Sequence, residues 1–344
     1  MNLTALTVFV LVLVVNVSSG RSQAGTPSRG RNTNVNAAQG AHLGVQNTIG
    51  DLLRHPAFAG FARLILPWDD RAYDEQMRLT SIGSLLPYHS HVDPETVTGG
   101  LNRMIDDATG GRTVFYRFYS EAQRQEQPAR SQTGLFFFRG RPGAPFAVIS
   151  PGGGFSYVGS VHEGFPYAEA ISRKGYNAFV LKYRAGLGGT AATQDLAVAV
   201  SYILENAATL GVGTNGYSLW GSSAGARMAA AIGSHGAANY GGRAVPKPST
   251  VVMAYTAHSD YAAVEPPTFV VVGEEDGIAP PAAMERRVEA LRKSGTRVEF
   301  HKFKRLGHGF GLGIGTSAEG WILEAIRFWQ ASMLPRSGGR GDDQ

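Results

Sequence analysis

The 344-residue sequence has no cysteine, which excludes disulfides, thiolate nucleophiles and cysteine-based zinc or iron–sulfur sites. Nor does any apolar run reach the roughly 20 residues that a membrane-spanning helix needs. Charge is sparse: charged residues make up 17% of the chain, and 32 Lys+Arg against 27 Asp+Glu leave a formal +5. A surplus that small, partly in the end segments, gives no electrostatic footprint for nucleic acid. What remains is a chain that is 43% hydrophobic, enough to build a large core. Glycine stands at 45 residues, about twice the usual frequency, with no collagen-like period, so many tight turns and close backbone approaches are expected.

The two ends differ from the middle. Leu3 to Val17 is apolar but interrupted by Thr4, Thr7 and Asn16, and reads as the hydrophobic region of a signal peptide spanning residues 1–24, with Ala24 or Gly20 preceding the cleavage point. Export to the periplasm or the medium follows, without stable membrane insertion after cleavage. Residues 25–50 lack acidic and aromatic side chains and read as a disordered linker. Residues 51–110 read as an apolar, irregular N-terminal cap, 111–335 as the main domain, and 336–344 as a flexible tail. Arg340-Gly341-Asp342 in that tail is an adhesion-like tripeptide too short to carry a function.

From about residue 112 the pattern alternates between short β-branched or aromatic runs and stretches with helical spacing, as in an α/β sheet. Strands are expected at Arg112 to Tyr119, Gly134 to Arg139, Phe146 to Ser150, Asn177 to Tyr183, Tyr217 to Gly221, Thr250 to Ala254, Thr268 to Gly273 and Val298 to Phe303. The first two suit an antiparallel pair, and most of the others are uninterrupted apolar runs, as buried parallel strands are. Helices follow from Leu196/Val200/Ile203, Met284/Val288/Leu291 ended by Gly295, and Ile322/Ile326/Trp329 with a capping box from Thr316 and Glu319.

Three motifs carry chemistry. Gly221-Ser222-Ser223-Ala224-Gly225 lies between an expected strand and the helix-prone Ala226 to Ala231, the setting of a nucleophile elbow with Ser223 at its tip. A serine hydroxyl needs a base, and the base needs an orienting group. Asp276, in Gly273-Glu274-Glu275-Asp276-Gly277, and His308, in Gly307-His308-Gly309, each follow a later strand, with Asp260 as the alternative acid. Ser150-Pro151-Gly152-Gly153-Gly154-Phe155 follows the strand where an oxyanion loop belongs, with the amides of Gly153, Gly154 and Ala224 as donors. His162 and Phe155 are candidate substrate contacts, and Trp68, Tyr88 and Tyr157 are candidate stacking surfaces for a sugar. Asp195 reads as a helix cap. His89-Ser90-His91 resembles a metal motif only superficially, since no further ligands stand nearby.

Taken together these motifs resemble the α/β-hydrolases of the esterase and lipase group, which includes carbohydrate acetyl esterases and hormone-sensitive-lipase-like enzymes, with more distant kinship to prolyl oligopeptidase catalytic domains. Pro151 stands where the lipase-like relatives carry histidine. The resemblance implies a mostly parallel twisted sheet of about eight strands with helices on both faces. It also implies hydrolysis of a small-molecule or oligosaccharide ester through an acyl-enzyme, without metal or cofactor. A peptidase of the prolyl oligopeptidase kind is the alternative, although Ala226 replaces the second glycine common there. A catalytically silent extracellular binding protein is the other, and such a relative would usually have lost one of the three polar residues.

Overall fold

The computed structural model describes residues 41–334. The expected signal peptide, the expected tail and all of the expected linker before residue 41 lie outside the described residues. Eight strands form one sheet: β1 Phe115–Tyr116, β2 Gly134–Phe138, β3 Pro145–Ser150, β4 Asn177–Lys182, β5 Gly213–Ser222, β6 Thr250–Ala254, β7 Thr268–Gly273 and β8 Val298–Phe303. Their order is β1-β2-β4-β3-β5-β6-β7-β8. The pairs β1/β2 and β2/β4 are antiparallel, and every other neighbouring pair is parallel.

The principal helices are α1 Pro94–Thr109, α2 Phe165–Arg173, α3 Gly188–Glu205, α4 Ala224–His235, α5 Pro281–Lys293 and α6 Trp321–Met333. Because side chains alternate across a strand, each strand feeds two cores. Phe136, Ile149, Val180 and Val271 join α1, α2 and α6 on one face. Phe137, Val148, Phe179 and Val270 join α3, α4 and α5 on the other. Strands buried on both faces have no polar side to show, which is why β2, β4, β6 and β7 are buried along their whole length. The direction of winding reverses between β3 and β5, and a crevice at the carboxyl ends of strands is expected at such a reversal.

The N-terminal segment is a layer of this domain, packed on the α2/α6 face. Leu52, Phe58, Ile65, Leu66, Leu79 and Ile82 are completely buried there, and each such burial stabilises the attachment by roughly 1.5–3 kcal/mol. Order begins before the expected linker ends. Leu43 is buried, its amide donates to Asn102 Oδ1 (2.8 Å) and its carbonyl accepts from Asn102 Nδ2 (2.9 Å). Thr48 caps the short helix Ile49–Arg54. A few apolar side chains in polar surroundings suffice once a partner surface exists, and composition alone hides this.

Three local expectations need correction. The strand expected over Arg112 to Tyr119 shrinks to the two residues of β1, which pairs on one side only, through Phe115↔Phe136 and Tyr116↔Leu135. The capping box of Thr316 and Glu319 does not form: α6 begins at Trp321 after the left-handed Gly320, and Thr316 Oγ1 donates to Gly313 instead. Asp195 is no cap either. It sits inside α3, fully buried, with Arg184 Nη2 at 2.8 Å and the Tyr119 hydroxyl donating to it at 2.7 Å. A paired carboxylate can occupy a helix interior, so the helix starts earlier, at Gly188. Gly295 does end α5, with φ 81° in the left-handed region.

Candidate active site

The turn from β5 into α4 presents Ser223 at φ 50° and ψ −115°, a backbone conformation that costs on the order of 1–3 kcal/mol for a non-glycine residue. Its surroundings hold it there. The Ser223 amide donates to Ala254 O at 2.8 Å, and Gly225 lets the turn press against the end of β3. A Cβ at Gly225 would lie 1.8 Å from Ser150 O, so the second glycine of the motif is required by contact.

The three loops after β5, β7 and β8 bring the sequence-predicted residues together. The Ser223 hydroxyl donates to His308 Nε2 at 2.9 Å, and His308 Nδ1–H donates to Asp276 Oδ2 at 2.7 Å. The other oxygen, Asp276 Oδ1, accepts from the amides of Ile278 (2.9 Å) and Ala279 (2.7 Å). Asp276 and His308 are buried, whereas Ser223 is half-buried at the mouth of the site. A hydroxyl in this arrangement can pass its proton to a neutral imidazole whose orientation is fixed from behind. Asp260, the alternative acid, faces solvent and takes His235 Nε2 at 2.7 Å.

The glycine loop after β3 curls over Ser223. Gly153 has φ 129°, and a Cβ there would meet Tyr157 O at 2.2 Å, so only glycine fits. The Gly152 amide donates to the buried carboxylate of Glu163. Among the described residues, the amides of Gly153, Gly154 and Ala224 have no acceptor. A cleft of about 180 Å³ opens at this point, lined by Gly154, Phe155, Ser223, Arg227, Thr256 and Ile278 among others. Of the aromatics expected near the substrate, Phe155 lines this cleft, and the half-exposed Tyr88 touches Gly154. Tyr157 is fully buried, stacked on Tyr88 and in tilted contact with Trp68, with ring centroids at 5.7 and 4.6 Å.

His162, expected to face substrate, does not line this cleft. It is buried behind the His308 loop, where its Nε2–H donates to Gly309 O at 3.0 Å. Burial, together with the neighbouring His89, lowers its pKa to about 4, so it is neutral near pH 7.

The sequence reading missed a buried network beneath the glycine loop. Residues Ser160–Gly164 form one wide π-turn that aims Glu163 inward. Glu163 Oε1 accepts from the Tyr255 hydroxyl (2.7 Å) and from His89 Nε2 (2.9 Å), while Oε2 holds the Gly152 amide. Tyr157 OH in turn donates to His89 Nδ1 at 2.8 Å and accepts from the Tyr88 amide at 3.0 Å. Burial alone would raise the Glu163 carboxyl. The imidazoles of His89 and His162 and the Tyr255 hydroxyl outweigh it and hold the pKa at about 2, so the group is ionised. Ser90 completes the frame: its hydroxyl donates to His308 O at 2.8 Å and its amide to Gly309 O at 3.0 Å. The adjacent His162-Glu163, just after the glycine loop, and the His89-Ser90-His91 run were the local signals of this network.

Comparison with known proteins agrees with the architecture. The BD-FAE family model matches residues 140–249, and the prolyl oligopeptidase family model matches residues 235–333. No curated protein matches the chain. Among solved structures it is similar to MGS-M1, an α/β-hydrolase enzyme from a Medee basin deep-sea metagenome library, at 26% identity and TM-score 0.50, over 58% of this chain and 93% of that one. It is also similar to an acetyl ester-xyloside bifunctional hydrolase from Caldicellulosiruptor lactoaceticus, at 20% identity and TM-score 0.55, over 63% and 95% of the two chains. The carboxylesterase Cest-2923 from Lactobacillus plantarum WCFS1 gives 20% identity and TM-score 0.51, over 59% and 94%.

Proposed function

We propose that this chain, an α/β-hydrolase of the esterase and lipase group, is a serine carboxylesterase that removes short acyl groups, chiefly acetyl, from a sugar-like alcohol. The observation that carries this reading is the hydrogen-bonded series Ser223–His308–Asp276 at the mouth of the cleft.

In the proposed reaction Ser223 Oγ attacks the ester carbonyl carbon while its proton passes to His308 Nε2. The carbonyl oxygen becomes an oxyanion and takes hydrogen bonds from the amides of Gly153, Gly154 and Ala224, where one such donor contributes roughly 3–4 kcal/mol to the transition state. As the tetrahedral adduct collapses, the C–O bond to the alcohol breaks and Nε2 returns its proton to the departing oxygen. Water then attacks the acyl-enzyme, gives a proton to His308 and releases the acid and free Ser223. Asp276 fixes the Nδ1–H tautomer and the orientation of the ring.

The cleft favours a small acyl group. About 180 Å³ is below the range of roughly 300–1,000 Å³ typical of sites for drug-sized ligands. Hydrolysis rates for p-nitrophenyl esters of increasing chain length are therefore expected to peak at C2 to C4, with acetate released from acetylated xylan. A preference for C8 or longer, or activation at an oil–water interface, overturns the substrate reading. The prolyl oligopeptidase match, which spans Asp276 and His308, favours a peptidase as the second reading. A proline-type peptide amide in the same assay separates the two.

Export is part of the proposal, supported by the interrupted apolar start of the sequence. Mass spectrometry of the N-terminus of the secreted protein should show loss of the first 20 or 24 residues. An intact Met1 on protein retained in the cytoplasm overturns it.

A further inference from the structure

The cleft beside Ser223 has a wall that the reaction above does not use. Arg227 lies in the first turn of α4, four residues after Ser223, which stands just before the helix. It lines the same cleft and is exposed. Among the described residues it has no carboxylate partner within ion-pair distance and no hydrogen-bond acceptor. Thr256, on the loop after β6, lines the cleft too. Only 2% of it is exposed, and Oγ1 is buried without a partner.

Buried polar atoms are almost always satisfied, so an unpartnered hydroxyl in a cleft wall calls for a ligand atom. Two residues further on, His258 Nε2 is likewise buried and unpartnered. Burial, and then the cations Arg287 and Arg227, lower its pKa to about 4, so it is neutral and brings no charge beside the cleft. Three of the acidic groups that follow in sequence are already paired. Asp260 takes His235, Glu265 takes Arg287, and Asp276 takes His308. The cleft therefore joins a serine hydroxyl to an uncompensated guanidinium and a donor hydroxyl.

We propose that Arg227 and Thr256 form a subsite for a carboxylate, so that the preferred substrate is an ester that carries a carboxylate within a few bonds of the scissile group. This rests on the esterase reading of the same site. A guanidinium offers paired N–H donors in the geometry of a carboxylate, and Thr256 supplies one more. The carboxylate belongs either to the acyl half, as in a dicarboxylic hemiester, or to the alcohol half, as in an acetylated uronic acid.

Both sources can be tested with size-matched pairs: p-nitrophenyl hemisuccinate against p-nitrophenyl butyrate, and acetylated glucuronic acid against acetylated glucose, each corrected for its uncatalysed rate. The expected result is a kcat/KM higher by roughly 10- to 100-fold for the charged member of one pair, the size of a hydrogen bond to a charged group. Arg227→Gln should collapse that ratio toward one, Arg227→Lys should restore part of it, and added salt should shrink it. Equal rates within both pairs overturn the subsite, as does a ratio that Arg227→Gln leaves intact. No hydrolysis of any of the four compounds would instead remove the esterase reading on which it rests.

Discussion

Ser223→Ala is expected to lower kcat by about a million-fold, the scale on which loss of the nucleophile silences a serine hydrolase. The substitution removes one oxygen that bonds only to His308, while the turn is held by backbone contacts that alanine keeps: the amide to Ala254 O and the approach of Gly225 to Ser150 O. The variant should therefore melt as a folded protein with unchanged far-ultraviolet circular dichroism. Steady-state hydrolysis of p-nitrophenyl acetate measures the loss. Near-normal turnover in a folded variant would place the nucleophile elsewhere.

Asp276→Asn should cost on the order of ten-thousand-fold in kcat. Asparagine would retain an oxygen for the Ile278 and Ala279 amides that now bond Oδ1, so the loop stays in place. It would turn an N–H donor toward His308 Nδ1, however, and the imidazole would move its proton to Nε2. Nε2 could then no longer accept the Ser223 proton. Asp260→Asn supplies the contrast: this carboxylate is exposed and paired with His235, so its loss should change kcat less than about twofold, as for surface sites away from special contacts. The reverse pattern, a harmless Asp276→Asn and a damaging Asp260→Asn, would move the acid to the loop after β6.

These two expectations could be drawn up from sequence because the fold signals its strands strongly. A strand buried on both faces is an uninterrupted apolar run, and β6 and β7 occupy the residues that such runs indicate, while the half-buried edge strand β8 shows itself by its alternating pattern. Ser223 comes just after β5, Asp276 after β7 and His308 after β8, so linear order and loop position were enough to nominate them. The Glu163 network was illegible for the opposite reason. Glu163 and Tyr255 are 92 residues apart, and no periodicity links them. A buried acid beside an imidazole also looks like a helix start until the π-turn at Ser160–Gly164 is seen. Asp195 misled in the same way: its true partners, Arg184 and Tyr119, lie outside its own helix.

The contact between Ser90 and the His308 loop spans 218 residues of chain. Closing a loop of that length costs about 5 kcal/mol in chain entropy, which the sheet and its loops between the two ends must offset. The segment around Ser90 thus contributes a piece of the candidate site that waits for residues made much later in the chain. Until β8 and its following loop are made, the Ser223 turn has no base and Ser90 has nothing to hold. A shortened protein beginning at residue 111, where the strand pattern starts, would contain Ser223, Asp276 and His308, yet would leave His308 without its brace and Glu163 without its imidazole. The N-terminal layer is therefore part of the frame behind the candidate site, tied to it through Ser90 and His89.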